Sequence, residues 1–402
     1  MGHTHTFDFI EDFMRLTSAL PSPPVFRRWA AIACVAASLE RRVWTRLIGG
    51  AMYANLYVVL VGGPASGKTQ AVRAAERIAR RAALRFAPDC LTKAAFVDAL
   101  GEAFKVYKTN GKAHGASALA CFNEEMSNLI PAYDPVFLGV LNHVWDAPDW
   151  HDDRTRHGPH VRIELPLVTI LTAITPAQLG EIMPESAWGT GFMTRVIAVS
   201  TNAKRSTNDV FAEAPHESEE WSGLGVHLRE LTRVWGEMTW EPEAQRELNE
   251  WRSQGCPPAP AHPRLIYYNE RRWAFAVKTS MASAMSRSAK SDSMHVTLDD
   301  FNRAREWLIE AERESDTMFA EMRSGANDRG VLDTLVASVR AQHKPLSEAE
   351  MFALLSSHVS VERIPRVLEA AVKMGLLKAS GDIWARKYMA SQGADDEQRT
   401  HA

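Results

Sequence analysis

The chain has 402 residues, of which 46% are hydrophobic and 24% are charged, and its formal net charge is -3. At about 100 to 200 residues per domain this length predicts two or three folded domains, and the composition excludes an intrinsically disordered protein. Because 46 Lys and Arg nearly balance 49 Asp and Glu, a basic surface over the whole molecule is excluded, and contact with nucleic acid requires local patches.

The cysteines exclude the common metal and redox signatures. The four of them lie far apart in the sequence, and no CxxC pair is present that would begin a zinc or redox site. We therefore expect a reducing, cytoplasmic location. The longest apolar stretch near the N-terminus, from Trp29 to Leu39, is too short to span a bilayer and is followed by charged residues. We expect neither a signal peptide nor a membrane span.

The first segment, residues 1–54, is predicted to form a helical collar. Phe9, Ile10 and Phe13 recur at helical spacing, and a run of prolines then interrupts the pattern. A second helix is predicted from about Phe26 to Glu40.

Residues 55–202 alternate between apolar runs and helical or loop segments, which predicts an α/β fold with a parallel sheet. The runs have the length of buried strands and lack polar alternation. They are Leu56–Val61, Ala118–Phe122, Leu165–Ala173 and Arg195–Ser200. A helix rich in Ala and Arg is predicted from Thr69, directly after the first run and a glycine-rich loop.

After Asn202 the strands are expected to stop, and residues 203–322 are predicted to form a helical lid. Its amphipathic segments are Trp221–Leu231, Glu241–Trp251, Arg271–Ser288 and Leu298–Met322. Residues 323–390 contain three short helical segments and a hairpin with Gly381 and Asp382 at its turn, which predicts a winged-helix domain. The polar residues 391–402 are predicted to form a disordered tail.

A phosphate-binding loop is the strongest motif in the chain. The motif fits GxxxxGK[ST] and stands between a predicted strand and a predicted helix, which is the context it requires. Its residues are Gly62, Gly63, Pro64, Ala65, Ser66, Gly67, Lys68 and Thr69. The small residues allow backbone N–H groups to converge on a β-phosphate, Lys68 reaches the β- and γ-phosphate oxygens, and Thr69 binds Mg²⁺. ATP with Mg²⁺ is the expected ligand.

A second apolar strand ends in acid, as a nucleotide hydrolase requires. Glu125 is the predicted base that polarises the attacking water, and Glu124 is the predicted contact to Mg²⁺. The alternative is a strand that runs into the solvated acidic start of a helix.

Two further polar residues follow or precede predicted strands. Thr175 ends the third strand, before Pro176, where its side chain can sense a γ-phosphate. Arg195 follows a loop of small residues and begins the next strand. An arginine in this place can reach the γ-phosphate of a neighbouring subunit and stabilise transition-state charge.

Together these motifs resemble the AAA+ replicative ATPases of phages and mobile elements, whose core is similar to that of the minichromosome maintenance helicases. The resemblance covers about residues 7–320 and includes the lid helix that begins Asn269-Glu270-Arg271-Arg272. It implies that Thr175 is the sensor 1 residue, Arg195 the arginine finger and Arg271 the sensor 2 arginine. Lys278 matches a basic residue of the same helix. Two residues depart from the family pattern: Glu124, where the family has Asp, and Thr175 at the sensor 1 position.

The resemblance also implies a ring, expected to be a hexamer, with ATP sites between subunits. The expected activity is ATP hydrolysis that drives translocation on DNA or duplex unwinding, as by a helicase in phage or mobile-element replication. Two alternatives remain: an ATP-dependent helicase loader or regulatory switch without unwinding activity, and a structural ATP-binding protein with little turnover. Because no primase or nuclease motif is present, a separate primase or replicative helicase is an expected partner.

Two segments are candidates for nucleic-acid contact. Arg154 and Arg156 lie in a basic turn whose flanking segments are expected to pair as a hairpin, and they can grip DNA phosphates with little regard for sequence. The alternative is a solvated surface loop. In the predicted winged helix, Arg363 and Arg366 lie on the recognition helix, although a domain that contacts only protein fits equally well.

Overall fold

The computed structural model describes residues 7–109, 111–130, 133–153, 161–189, 191–203, 218–290, 294–325, 335–340, 342, 344–356, 364–381 and 387–390. The chain is a mixed α/β protein whose contacts divide it into two compact units, residues 1–320 and residues 321–402. The predicted tail, residues 391–402, lies outside the described residues.

The helices and strands have the following bounds. The helices are α1 (Phe9–Leu16), α2 (Pro24–Leu39), α3 (Lys68–Ala79), α4 (Lys93–Glu102), α5 (Met126–Leu129), α6 (Pro135–Trp145), α7 (Pro176–Ile182), α8 (Glu185–Gly189), α9 (Glu219–Leu231), α10 (Pro242–Ser253), α11 (Ile266–Asn269), α12 (Arg272–Arg287), α13 (Leu298–Glu312), α14 (Ser315–Gly325), α15 (Glu348–Leu355) and α16 (Ile364–Lys373). The strands are β1 (Val43–Leu47), β2 (Gly50–Tyr53), β3 (Tyr57–Val61), β4 (Phe104–Thr109), β5 (Lys112–Asn123), β6 (Trp150–Asp153), β7 (Val161–Glu164), β8 (Pro166–Ile174), β9 (Val196–Ser200), β10 (Gly236–Glu237), β11 (Thr239–Trp240), β12 (His295–Val296), β13 (Leu346–Ser347), β14 (Leu377–Ser380) and β15 (Lys387–Ala390).

A five-stranded sheet in the order β4-β5-β8-β3-β9 forms the centre of the first unit. Strands β5, β8, β3 and β9 are parallel, which confirms the prediction of a parallel α/β sheet. Every residue of β3 and β8 is buried, as the continuous apolar runs indicate. The edge strand β4 is antiparallel to β5 and was not predicted, because its half-exposed residues alternate and form no apolar run.

Helix α2 is an interior helix rather than a peripheral one. Fourteen of its 16 residues are buried, and it contacts α1, α3, α9, α12 and β8. The helix begins with Pro24 at its first position, where the missing N–H and the fixed φ of proline are tolerated. The predicted collar therefore contributes a large part of the core of the first unit.

A buried ion pair joins α12 to α13. The guanidinium of Arg272 donates to both carboxylate oxygens of Glu312 over 2.9 and 2.6 Å, and the Tyr268 hydroxyl donates to the same carboxylate over 2.6 Å. Arg272 is 0% exposed, so that this pair satisfies charges which burial would otherwise make costly. The network fixes the start of α12, where Arg271 is the N-cap residue.

Two sequence-based expectations for residues 203–322 are wrong. Strands do not stop after Asn202, because β10 pairs with β1 and β11 pairs with β12. Strands of two residues are too short to leave a periodic pattern in the sequence. The single helix expected over 298–322 is divided into α13 and α14, and at the break Glu314 accepts hydrogen bonds from Thr201 and Asn202, directly after β9.

The second unit has its own small sheet and core. Its strands have the order β13-β15-β14, and both pairings are antiparallel. Residues 335–340 are helical, and α15 and α16 complete the helical part. The buried cluster includes Leu335, Met351, Ile364, Leu368 and Tyr388.

Within the described residues, no helix combines the length and the apolar character that crossing a membrane requires.

Candidate nucleotide site and the opposite edge of the sheet

The predicted phosphate-binding loop connects β3 to α3 at the carboxyl edge of the sheet. Helix α3 begins at Lys68, and its N-cap residue Gly67 has φ +85° and makes no side-chain capping hydrogen bond. Its first turn contains no acidic residue. The N–H groups of a first helical turn lack partners within the helix. This N-terminus therefore offers donors and a positive dipole end to an anion, without a carboxylate that would compete.

Only glycine fits at position 67. A Cβ there would lie 2.0 Å from the carbonyl oxygen of Pro21 and 2.7 Å from Cα of Ser22. The positive φ is a second obstacle to any other residue. The segment that precedes α2 thus rests directly on the loop, whereas Gly63 faces open space.

Lys68 is folded onto the loop. Its ammonium donates to the carbonyl oxygens of Gly62 and Gly63 over 2.6 and 2.8 Å, and to the Ser66 hydroxyl over 3.2 Å. Burial lowers the pKa of Lys68, and the negative charge of Glu125 acts in the opposite direction. Lys68, which is predicted to bind phosphate, and Glu125, the predicted base, therefore lie close enough for their charges to interact.

The two acidic residues at the end of β5 have different partners. Glu125 accepts a hydrogen bond from Nε2 of Gln178 over 3.1 Å, and its backbone N–H donates to Asn123 over 3.0 Å. Glu124 forms an ion pair with Arg73 of α3. Because residues four apart share one face of a helix, Arg73 and Thr69 lie on the same side of α3, toward Glu124.

The donors present fit Mg²⁺. Magnesium is usually held by one or two carboxylates together with waters and substrate phosphates, and not by a cage of protein ligands. Thr69 and Glu124 supply a hydroxyl and a carboxylate of this kind. Among the described residues there is no group of three or more His, Cys, Asp or Glu side chains that would form a dedicated metal cage.

Thr175 directly follows β8, which ends at Ile174, and is the N-cap residue of α7. Its hydroxyl accepts from the backbone N–H of Gln178 over 3.3 Å and donates to Oε1 of Gln178 over 2.8 Å. Gln178 therefore connects Thr175 to Glu125. Sequence reasoning missed Gln178, although Thr-x-x-Gln ahead of a helix is the capping-box pattern and marks a glutamine that turns back toward the cap.

Arg195 lies at the opposite edge of the sheet. Val196 begins β9 and pairs with Tyr57 at the start of β3, whereas the loop follows Val61 at its end. At about 3.3 Å per residue these edges are at least roughly 13 Å apart. Arg195 thus lies away from the predicted phosphate-binding loop of its own chain.

Three cations surround one indole at this second edge. The centre of the Trp145 ring is 5.6 Å from the guanidinium carbon of Arg195, 5.6 Å from that of Arg271 and 4.3 Å from Nζ of Lys278. Arg195 also forms an ion pair with Asp146 over 2.8 Å. We call Trp145, Asp146, Arg195, Arg271 and Lys278 the Trp145 cluster. Arg271 and Lys278 lie on one side of it, at the start and second turn of α12.

The electrostatics of the Trp145 cluster favour an additional anion. Burial lowers the pKa of Arg271, and the neighbouring charge of Arg195 lowers it further. Within the part of the chain that the structure describes, Arg271 forms no ion pair. Burial lowers the pKa of Lys278 to about 7, although the charge of Asp146 opposes this shift. Lys278 is 3% exposed and donates to Oδ1 of Asn55 over 2.6 Å.

A pocket of about 540 Å³ opens beside the Trp145 cluster. Besides Trp145, Asp146 and Arg271, its lining includes the aromatic residues Tyr267 and Trp273. Gly191, whose carbonyl accepts from Arg195 over 3.1 Å, lies at its edge. Sequence reasoning identified Arg195, Arg271 and Lys278 but not Trp145 and Asp146, because only the fold brings the end of α6 to the start of β9.

The candidate nucleic-acid residues are partly outside the described structure. Strands β6 and β7 pair antiparallel, so that the segments around the basic turn form the expected hairpin, but Arg154 and Arg156 lie outside the described residues, as does Arg363. Arg366 is exposed on α16. At the base of the hairpin, Arg162 stacks over the ring of Trp150 at 5.0 Å. The Trp150 side chain, which sequence reasoning missed, is 48% exposed.

No protein-family model matches the chain, and no curated protein shows significant similarity to it.

Proposed function

We propose that the chain is an ATP-hydrolysing P-loop ATPase of AAA+ type whose active site is completed by a second copy of the chain. The observation that carries this proposal is the separation of its two halves. The phosphate-binding loop and Glu125 lie at the carboxyl edge of the sheet, and Arg195 and Arg271 lie at the other edge. A ring in which one edge faces the next subunit's opposite edge brings the halves together.

At the carboxyl edge each residue has a defined task. The first turn of α3 and Lys68 bind the β- and γ-phosphates, and Lys68 exchanges its hydrogen bonds to Gly62 and Gly63 for phosphate oxygens. Glu125 accepts the proton of the attacking water. Thr175 senses the γ-phosphate through its hydroxyl. Thr69 and Glu124 would hold Mg²⁺, which would supply positive charge against the phosphate oxygens.

At the opposite edge, Arg195 and Arg271 stabilise the charge that develops on the neighbour's γ-phosphate. The cations are already gathered on Trp145, so that little reorganisation is needed when the phosphate arrives. Arg195 then exchanges Asp146 for a phosphate oxygen. Lys278, whose pKa burial lowers to about 7, adds positive charge behind both arginines when it is protonated.

The ring is proposed to act on DNA, as a helicase or translocase in phage or mobile-element replication. The hairpin of β6 and β7 supports this, because it presents an exposed tryptophan and an arginine beside the basic turn that contains Arg154 and Arg156. The second unit, which contains helices and a three-stranded antiparallel sheet, is proposed to be a winged helix and a further contact to DNA or protein.

The test is to mix two inactive variants. Lys68→Ala removes the phosphate ligand and Arg195→Ala removes the finger, so each alone should lose hydrolysis. In a mixed ring, a Lys68→Ala subunit still donates its Arg195 to the intact loop of an Arg195→Ala neighbour. An equal mixture should recover about one quarter of the wild-type rate, since one interface in four is intact in a random head-to-tail ring.

The control replaces Lys68→Ala by the double variant Lys68→Ala, Arg195→Ala, which has no finger to donate and should give no recovery. Absence of recovery in the first mixture, with co-assembly verified by light scattering, would contradict a shared site. A strand-displacement assay on fork DNA then separates the motor from the loader: hydrolysis without displacement would favour the loader.

A further inference from the structure

The side chain of Gln178 does not make the hydrogen bond that its capping-box position predicts. It lies in the first turn of α7, where a capping-box side chain would return to the backbone N–H of the N-cap residue. Instead its amide bridges two side chains: Oε1 accepts from the Thr175 hydroxyl over 2.8 Å, and Nε2 donates to Oε1 of Glu125 over 3.1 Å. The bridge joins the end of β8 to the end of β5.

The chemistry of the partners fixes the orientation of the amide. An ionised carboxylate only accepts hydrogen bonds, so the Gln178 atom that faces Glu125 has to be the NH₂ group. Oε1 then faces Thr175, whose hydroxyl hydrogen rotates to meet it. The assignment of donors and acceptors is therefore fixed: the Thr175 hydroxyl donates to Oε1 of Gln178, and Nε2 of Gln178 donates to Glu125.

We propose that Gln178 is a positioning residue that orients the Glu125 carboxylate for proton abstraction and couples this orientation to Thr175. The proposal rests on the proposed ATPase function. A donor on Oε1 of Glu125 leaves Oε2 for the attacking water and restricts rotation of the carboxylate, which is the kind of orientation on which catalysis depends. Gln178 is proposed to act through its hydrogen bonds to Thr175 and Glu125.

The first test compares two isosteric replacements. Gln178→Met keeps the length of the side chain and loses both hydrogen bonds. Gln178→Glu keeps an acceptor for Thr175 but presents a carboxylate to Glu125. We expect both variants to bind ATP with Mg²⁺ within about 2-fold of wild type, and kcat to fall by about 10-fold or more, because a hydrogen bond to a charged group contributes about 1.5 to 3 kcal/mol.

The matched control is Glu181→Gln, an exposed position on the same helix, which should leave ATP affinity and kcat unchanged. A general loosening of α7 would instead weaken ATP binding and kcat together, so that the separation of affinity from kcat distinguishes positioning from folding.

The second test measures coupling with Thr175. Thr175→Val removes the hydroxyl at nearly constant shape, and Thr175→Ser retains it. In the Thr175→Val background we expect the Gln178→Met loss of kcat to be at least about 3-fold smaller than in wild type or in Thr175→Ser, because residues that act through one chain are not additive.

The outcomes are distinct. If wild-type protein binds no ATP, the proposed function fails and this proposal fails with it. If wild type hydrolyses ATP but Gln178→Met keeps the wild-type kcat, or if its effect is additive with Thr175→Val, only the role of Gln178 is overturned. A basal rate that rises in Gln178→Met would also overturn it, since Gln178 would then restrain Glu125 and not prepare it.

Discussion

The two edges of the central sheet differ in what carries their positive charge. At the carboxyl edge it comes from the N–H groups that begin α3 and from one lysine, Lys68, which is held by loop carbonyls. At the opposite edge it comes from three long side chains gathered on Trp145. Backbone donors suit a ligand that binds and leaves, whereas cations fixed on an aromatic ring are prepared for charge that exists only briefly. On the proposed function, nucleotide binding and proton abstraction are thus assigned to one subunit, and stabilisation of transition-state charge by arginine is assigned to its neighbour.

The difference between the two edges predicts its largest effect on the rate of hydrolysis at Arg195. Arg195→Ala should lower the rate of ATP hydrolysis by about 10³ to 10⁵ while ATP affinity stays at the wild-type level, because a finger acts only on transition-state charge. Single-turnover hydrolysis and calorimetry measure the two quantities. Arg246→Ala, which removes an exposed arginine of α10, is the control. A loss of ATP affinity in Arg195→Ala would place the finger in its own subunit's site.

At the carboxyl edge, Glu125→Gln should retain ATP and lower hydrolysis by about 10² to 10⁴, because the amide keeps the shape but does not accept a proton. Glu124→Gln should instead raise the Mg²⁺ concentration needed for ATP binding. Both are measured with radiolabelled ATP. If Glu124→Gln, and not Glu125→Gln, accumulates bound ATP, the roles of the two carboxylates are exchanged.

Lys278 makes the second edge sensitive to pH. Its pKa is about 7 in the folded chain against 10.5 in the unfolded one, so between these values the unfolded chain binds more protons and stability rises with pH. Asp146 opposes this lowering of the pKa, and Arg195 and Arg271 are the charged groups that share the Trp145 ring with Lys278. The Lys278→Met variant lacks this pH-dependent contribution to the free energy of unfolding. The difference in free energy of unfolding, variant minus wild type, should therefore fall by about 3 kcal/mol from pH 7 to pH 10.

Urea unfolding at several pH values measures this difference. The loss of the Asn55 hydrogen bond shifts the difference by a constant and does not alter its slope. Lys112→Met, at an exposed lysine, should show no slope of this size. A flat difference for Lys278→Met would mean that Lys278 keeps its ordinary charge despite burial.

The smallest expected effect concerns DNA. Replacing Arg154 and Arg156 with Ala should weaken binding about equally on unrelated sequences and reduce the slope of log K against log salt by about 2, since about two fewer counterions are released. Basal hydrolysis should be retained. The control changes the same charge elsewhere, at the exposed Arg233 and Arg246. If truncation after Met322 abolishes DNA affinity while the double variant keeps it, the second unit is the DNA contact.

The sequence predicts best those features that local chemistry determines. The apolar runs of β3 and β8 and the glycine motif after β3 are each encoded by neighbouring residues, so the bounds of both strands and the start of the helix were located within one or two positions. Features that depend on tertiary contact were not predictable. The strand β4 has no apolar run, Asp146 meets Arg195 only because α6 ends beside β9, and Gln178 reaches Glu125 only because β5 and β8 are neighbours.

The interior position of α2 has a consequence for how the chain can be divided. The change from helical spacing to a continuous apolar run after Asn55 predicts a boundary at residue 54, with an accessory segment before it. Yet 14 residues of α2 are buried against α3, α9, α12 and β8. In a chain that begins after residue 54, the surfaces of α3, α9, α12 and β8 that pack against α2 would be exposed to water. That chain would also lose the segment that rests on Gly67. The minimal unit that can fold therefore includes α2, and limited proteolysis should leave this helix uncut.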